Sequence, residues 1–324
     1  MNTFQCRQTD AVFLLTDSNL APVARQNYTA ELCNHEFLFG CTGNVFIEYF
    51  GKKRGPGAPP GVPVMSDAEL QSRMEKWLKL FNYATIQVYW GIYEMQEGTT
   101  MHDLVMDAAR YLKDHDVTLK GHPLCWHTVC ADWLMKYDNK TILEKQLARI
   151  RREVGDFAGI IDAWDVINET VIMDRFDRYD NAVTRICREY GKYDLIKMVF
   201  DEAHRTNTRA NLLLNDFNMT DAYVEVLKRS LDAGVPITCI GLQSHQHQGY
   251  WGIEKIDQVL RRFEPLGLPI HFTENTLESG PLIPPEIEDL NDWHYDKTDW
   301  GPEYEERQKN EMCEMYTHIF EHHP

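Results

Sequence analysis

Two glutamates stand at the ends of strand-like runs. Glu169 closes Ile161-Asp-Ala-Trp-Asp-Val-Ile-Asn-Glu169, and Glu274 closes Leu268-Pro-Ile-His-Phe-Thr-Glu274. A carboxyl pair suits cleavage of an acetal: one protonates the departing oxygen while the other attacks or supports the sugar carbon from the opposite side. That chemistry needs the two groups to converge, about 5–5.5 Å apart if configuration is to be retained. At such a distance each carboxylate raises the proton affinity of the other, so one stays protonated while its partner stays ionised.

The elements that must bring them together follow from the hydrophobic pattern. Short β-rich runs near 36–42, 84–90, 118–125, 161–168, 210–216, 238–244 and 269–274 alternate with amphipathic helical runs near 67–81, 101–115, 141–157, 181–206, 221–233, 253–265 and 303–321. Repeated βα units imply a parallel sheet. A chain of 324 residues is the right size for one (β/α)8 TIM-type barrel. Ser66 and Glu69 form a capping-box pattern at the start of the first helical run. Leu70, Met74, Trp77, Leu78 and Phe81 then recur at helical spacing as a buried stripe. Seven strands are recognised where a closed barrel has eight, so the sheet is expected to be shortened at its C-terminal side. Residues 1–34 carry two β-rich pieces around Pro22 and are expected to form a small N-terminal β extension, with the barrel occupying 35–324. The Gly- and Pro-rich stretch 51–63 is expected to be a loop after the first strand.

A barrel places its chemistry at the C-terminal ends of its strands. Polar residues cluster there: His122, Trp126 and His127 after the third strand, Asn168 and Glu169 after the fourth, Asn215, Asp216 and Asn218 after the fifth. Gln243, His245 and His247 follow the sixth, and His271 and Glu274 belong to the seventh. Asn218 and Asp216 serve equally well as turn or helix caps. Strands four and seven oppose each other across a barrel bore, so Glu169 and Glu274 are expected to face one another.

Composition narrows the partners. A net charge of −17 repels nucleic acid and anionic membranes and is compatible with a neutral ligand such as a sugar. No run of about 18 apolar residues exists to span a bilayer, and the first ten residues lack the apolar core of a signal peptide, so a cytoplasmic location is expected. The eight cysteines have neither a Cys-x-x-Cys pair nor zinc-ligand spacing, and Cys125 and Cys239 read as small buried hydrophobes. No cofactor and no metal is expected, and composition leaves the oligomeric state open.

Taken in order, His35-Glu-Phe-Leu-Phe-Gly40, Phe81-Asn-Tyr-Ala-Thr85, Gly121-His-Pro-Leu-Cys-Trp-His127, Trp164-Asp-Val-Ile-Asn-Glu169, Leu214-Asn-Asp-Phe-Asn218, Ile240-Gly-Leu-Gln-Ser-His245 and Thr273-Glu274 resemble the motifs of glycoside hydrolase family 10, the endo-β-1,4-xylanase family. The resemblance runs from about residue 35 to 321. It implies a retaining β-glycosidase acting on xylan or xylo-oligosaccharides, with Glu169 as acid/base, Glu274 as nucleophile and Asn168 on the hydroxyl beside the reacting carbon. It further implies that His245 orients Glu274 and that His122, Trp126 and Gln243 line the glycone side.

The chain departs from the family in two places. After Thr85 it reads Ile86-Gln-Val-Tyr-Trp-Gly-Ile-Tyr-Glu94 in place of the usual sugar-gripping residues, which leaves Gln87, Tyr89 and Trp90 as candidates for a rebuilt subsite or for core. The family's aromatic eighth-strand wall is also missing, and Trp293, Tyr295 and Trp300 are candidates to replace it. Two further readings compete. A carbohydrate-binding pseudoenzyme would keep the sugar contacts without catalytic alignment. A barrel metallohydrolase would use His122, His127, His245, His247 and His271 as ligands.

Overall fold

The computed structural model describes residues 10–32, 35–54, 65–287, 290–294 and 301–323. The chain divides into two compact units. One comprises Phe39–His245 and Asp257–Thr276; the other comprises Met1–Leu38, Gln246–Ile256 and Leu277–Pro324.

The first unit contains a parallel sheet of seven strands in sequential order: β1 (Gly40–Thr42), β2 (Tyr83–Gln87), β3 (Thr118–His122), β4 (Ala163–Asn168), β5 (Asn211–Asp216), β6 (Cys239–Leu242) and β7 (Ile270–Phe272). The helices of the chain are α1 (Asn44–Arg54), α2 (Asp67–Leu80), α3 (Trp90–Tyr93), α4 (His102–Lys113), α5 (Asn139–Asp156), α6 (Thr170–Met173), α7 (Ala182–Tyr190), α8 (Lys192–Thr206), α9 (Asp221–Asp232), α10 (Gly252–Phe263) and α11 (Pro302–His322). This is the architecture of a (β/α)8 TIM-type barrel with seven of its strands among the described residues.

The inner strands β3 to β6 are short and largely buried, as strands covered on both faces are. All six residues of β4 are buried. The capping box at Ser66 forms as the sequence predicts: its hydroxyl accepts the Glu69 N–H while the Glu69 carboxylate accepts the Ser66 N–H. Leu70, Met74 and Trp77 are buried, and the Trp77 indole donates to Thr42 O at 3.1 Å, tying α2 to the end of β1.

Three expectations are corrected. The strand expected over 84–90 ends at Gln87, and Trp90 opens the short helix α3. The helix expected over 181–206 is broken at Gly191, whose φ of 90° ends α7 and begins α8. Gly51–Arg54, read as the start of a loop, is the last turn of α1, which the buried Phe46 anchors by an edge-to-face contact with Trp77 at 5.3 Å. A glycine beside aromatic and β-branched residues hides the helical period there. The remainder of that expected loop, 55–63, lies outside the described residues.

A bulge matters for function. In the β4–β5 ladder Asp165 pairs with Leu213, whereas Ile167 pairs with Leu214, so the register slips by one at Val166. With strict alternation Asp165 and Asn168 would face opposite sides of the sheet. The extra residue lets both point into the bore.

In the second unit an isolated antiparallel bridge joins Thr16 and Pro22 around a turn in which Asp17 accepts the Asn19 and Ala21 N–H groups. Trp293 belongs to this unit, just after a 3-10 turn at Leu290–Asp292, while Tyr295 and Trp300 fall outside the described residues. Among the described residues no helix is long and apolar enough to cross a membrane.

Candidate active site

Every residue singled out from the sequence as a site candidate, Glu169, Glu274, His122, Trp126, Asn168, Gln243 and His245, lies in the first unit, at or just beyond a strand end. Most of them touch one another. Glu169 follows β4 in a left-handed conformation, φ 58° and ψ 51°, which costs a non-glycine residue about 1–2 kcal/mol. Its neighbours hold it there. The Glu169 N–H donates to Asn215 O at 2.8 Å, and Asp216 accepts the Val171 N–H at 2.9 Å and the Thr170 hydroxyl at 3.3 Å, capping the α6 turn that begins at once. Asp216 is thus a cap. Asn218, the other strand-end residue open to that reading, makes a turn by accepting from Thr220.

The Glu169 carboxylate accepts the Trp126 indole N–H at 2.9 Å on one oxygen and the Gln243 amide at 3.3 Å on the other. His127 Nε2 lies 3.7 Å away, in a buried imidazole that burial keeps neutral down to about 4. Only 13% of the Glu169 side chain is exposed. Burial, with repulsion from Glu274 and Asp216, raises its pKa to about 7 against the opposing hydrogen bonds from Trp126 and Gln243.

Glu274 sits in contrasting company. Asn215 donates to its Oε1 at 2.7 Å, His245 Nε2 lies 3.2 Å from its Oε2, and His122 Nε2 stands 3.8 Å from Oε1. Burial opposes its ionisation, yet the His245 hydrogen bond and electrostatic attraction to His122, His245 and Lys120 outweigh burial and hold it below the usual carboxylate range. His122 is oriented from behind by Asp165, whose Oδ2 lies 2.7 Å from its Nδ1 and accepts the Lys120 ammonium at 2.6 Å; all three side chains are buried. The bulge at Val166 aims this Asp165.

Two polar bridges join the carboxyls. Gln243 donates to Glu169, and its carbonyl lies 3.2 Å from His245 Nε2, which contacts Glu274. Asn168 Oδ1 accepts from both Asn215 and Gln243, at 2.8 and 3.1 Å. Asn215 is the residue the sequence reading undervalued. It was one polar strand end among several, whereas its amide reaches Asn168 and Glu274 together and its carbonyl accepts the Thr273 hydroxyl at 2.6 Å. Its one sequence signal is Gly241 on the next strand. A Cβ there would lie 2.4 Å from Asn215 Oδ1, so only glycine clears the amide.

Tyr89 joins the cleft, with its ring 5.5 Å from those of His122 and Trp126. Trp90 does not: it is core, its indole bound to Glu94 at 3.2 Å. Gln87 ends β2, half-buried and in register with His122. Among the described residues, His122, His127, His245, His247 and His271 form no set of three within reach of a single ion. His122 and His245 instead serve Glu274, and His247 bonds Glu278 at 2.5 Å in the other unit.

A buried carboxyl that holds its proton and an ionised one are joined here through a layer of amides, and comparison with known proteins gives the family directly. The profile of Glycosyl hydrolase family 10 matches residues 65–320. The chain belongs to this family. It is similar to an endo-1,4-beta-xylanase/feruloyl esterase of Xylanibacter ruminicola, 26% identical over 236 residues, which are 63% of this chain and 32% of the relative. An endo-1,4-beta-xylanase A of the same organism is 28% identical over 178 residues, 51% of this chain and 46% of the relative. The chain thus spans less than half the length of these two curated relatives. Among solved structures, a GH10 endoxylanase retrieved from sugarcane soil metagenome superposes with a TM-score of 0.66 at 20% identity, over 78% of each chain. That likeness is one of fold.

Proposed function

We propose that this member of glycosyl hydrolase family 10 is a retaining β-glycoside hydrolase that cleaves β-1,4-xylosidic bonds of xylan or xylo-oligosaccharides. The opposed ionisation of Glu169 and Glu274 carries the reading: at neutral pH one carboxyl keeps its proton to about 7 while the other has lost it. The endo-1,4-beta-xylanase names of its relatives support the substrate.

In the first step Glu169 gives its proton to the glycosidic oxygen as Glu274 attacks the anomeric carbon. The carbon–oxygen bond to the leaving sugar breaks and an ester to Glu274 forms. Glu169, now ionised, takes a proton from water, whose oxygen displaces Glu274 and restores the original configuration. Trp126 and Tyr89 offer rings to the apolar face of a sugar, and Asn168 offers its amide to the hydroxyl beside the reacting carbon. Water is the second substrate, and the reaction draws on side chains alone. No observation favours the carbohydrate-binding pseudoenzyme.

Hydrolysis of aryl β-xylosides and xylo-oligosaccharides tests the proposal. Wild type is expected to release the β-anomer first, and Glu274→Ala to lose activity on the order of 10⁴-fold or more. No turnover by wild type, α-anomer as first product, or an unchanged Glu274→Ala enzyme overturns it.

A further inference from the structure

The wall that holds Trp126 and Tyr89 converges on one buried cation. Arg149, on α5, is 2% exposed, yet it makes no ion pair of its own among the described residues. Its Nη1 donates to Leu124 O, its Nη2 to Val88 O, and both nitrogens reach Pro123 O at 3.4 Å. Gln146, one turn earlier, donates to the same Leu124 O at 2.9 Å. The guanidinium lies 5.1 Å from the centre of the Trp90 ring.

These carbonyls are not arbitrary. Val88 precedes Tyr89, and Pro123 and Leu124 lead into Trp126. The far side of the second segment is pinned to β4, where the Leu124 N–H donates to Asp165 O at 2.9 Å and the Asn168 N–H donates to Cys125 O at 3.0 Å. The segment carrying Trp126 is therefore stretched between the strand that carries Glu169 and a planar fork of donors on α5. Only a guanidinium presents several fixed, divergent N–H groups to carbonyls from two chain segments.

We infer that Arg149 is a positioning residue, which sets the place of the Trp126 indole and through it the proton held on Glu169. The inference rests on the proposed role of Glu169. The groups facing Glu169 are Tyr89 after β2, Trp126 and His127 after β3, Asp216 on β5, Gln243 after β6 and Glu274 after β7. Those around Arg149 are Glu153 and Arg152 on its own helix, Tyr93 on α3, and Cys125 between Leu124 and Trp126. Trp126, on the segment that Arg149 holds, donates to Glu169 and so links the two sets.

The test titrates Glu169 in wild type, Arg149→Lys and Gln146→Leu. Two readouts are followed: the Trp126 indole N–H resonance in ¹⁵N–¹H spectra, assigned by its loss in Trp126→Phe, and the alkaline limb of kcat/KM on an aryl β-xyloside. Lysine keeps the charge but cannot span the three carbonyls. Its titration midpoint is expected to rise by about one pH unit, the weight of a hydrogen bond to a charged group. Gln146→Leu is expected to move it less and in the same direction, and Arg149→Lys added to Trp126→Phe is expected to leave the limb where Trp126→Phe alone puts it. An unmoved resonance in both variants, whatever their thermal stability, overturns the inference. If Arg149→Lys does not fold, Gln146→Leu decides by the same outcomes. The resonance titrates whether or not xyloside is turned over, so failure of the glycosidase reading and failure of this one look different.

Discussion

The amide of Asn215 donates to Glu274 Oε1 at 2.7 Å, so a residue leaving β5 holds the carboxylate that follows β7. The same amide nitrogen also reaches Asn168 beside Glu169. Replacing Asn215 by alanine strips a donor from each and leaves the Thr273 hydroxyl without its acceptor. Loss of one hydrogen bond to a charged group costs about 1.5–3 kcal/mol. The expected outcome is a fall in kcat of about 10- to 100-fold with KM little changed, read from steady-state kinetics on an aryl β-xyloside.

Glu169→Gln should separate activity from stability. Its folded pKa of about 7 lies above its ordinary value of 4.5, so between these values the unfolded chain binds fewer protons than the folded one, and stability falls as pH rises. By pH 8 the wild type carries the full cost of a buried carboxylate, about 3 kcal/mol. The glutamine variant avoids it. Urea unfolding is expected to find it more stable than wild type at pH 8 and close to wild type at pH 4, while turnover is lost. Equal stabilities at pH 8 would contradict the burial argument.

His245 holds Glu274 ionised. On the proposed mechanism activity requires the Glu274 carboxylate, so the acid limb of kcat/KM marks its pKa, which lies below the usual carboxylate range. His245→Ala removes the hydrogen bond at 3.2 Å, and the acid limb should move to higher pH. The alkaline limb, which belongs to Glu169, should stay near 7. A pH profile in which only the alkaline limb moves would reverse the two roles.

Asp216 acts on Glu169 through both backbone and charge. Neutralising it as Asp216→Asn removes a repulsion that raises the Glu169 pKa, so the alkaline limb should shift downward. Asparagine can still accept the Val171 N–H, whereas Asp216→Ala cannot cap α6 and should lose about 1–2 kcal/mol in denaturant unfolding.

Gly241→Ala tests the space around Asn215. The new methyl would meet Asn215 Oδ1 at 2.4 Å in a packed sheet, and Asn215 must give way. Overpacking of this kind costs about 1–3 kcal/mol. Activity should fall at least as far as in Asn215→Ala, checked by thermal unfolding and by the same kinetics.

Much of the fold was legible in sequence because strands and helices are written in periods of a few residues. Six of the seven strands fall within the predicted runs, β2 begins one residue before its own, and the capping box at Ser66 forms as its spacing requires. The misses are local as well: α1 lacks a clear period around Gly51, and Gly191 breaks a run that reads as continuous. The site was legible as residue types at strand ends, since chain order alone places Glu169, Gln243, His245 and Glu274 on the same rim.

What the residues do to one another was decided only by the tertiary structure. The bulge at Val166 aims Asp165 and Asn168 into the bore together, and no local pattern announces a one-residue slip against a strand about 48 positions away. The left-handed turn at Glu169 exists because Asn215 and Asp216 of another strand hold it. Arg149 reads in sequence as an ordinary residue of an amphipathic helix, and only packing reveals three carbonyls around it. The sequence determined that two glutamates would end strands four and seven of a barrel. Burial and the choice of neighbours, which depend on how the strands curl and stack, decided that one keeps its proton and the other does not.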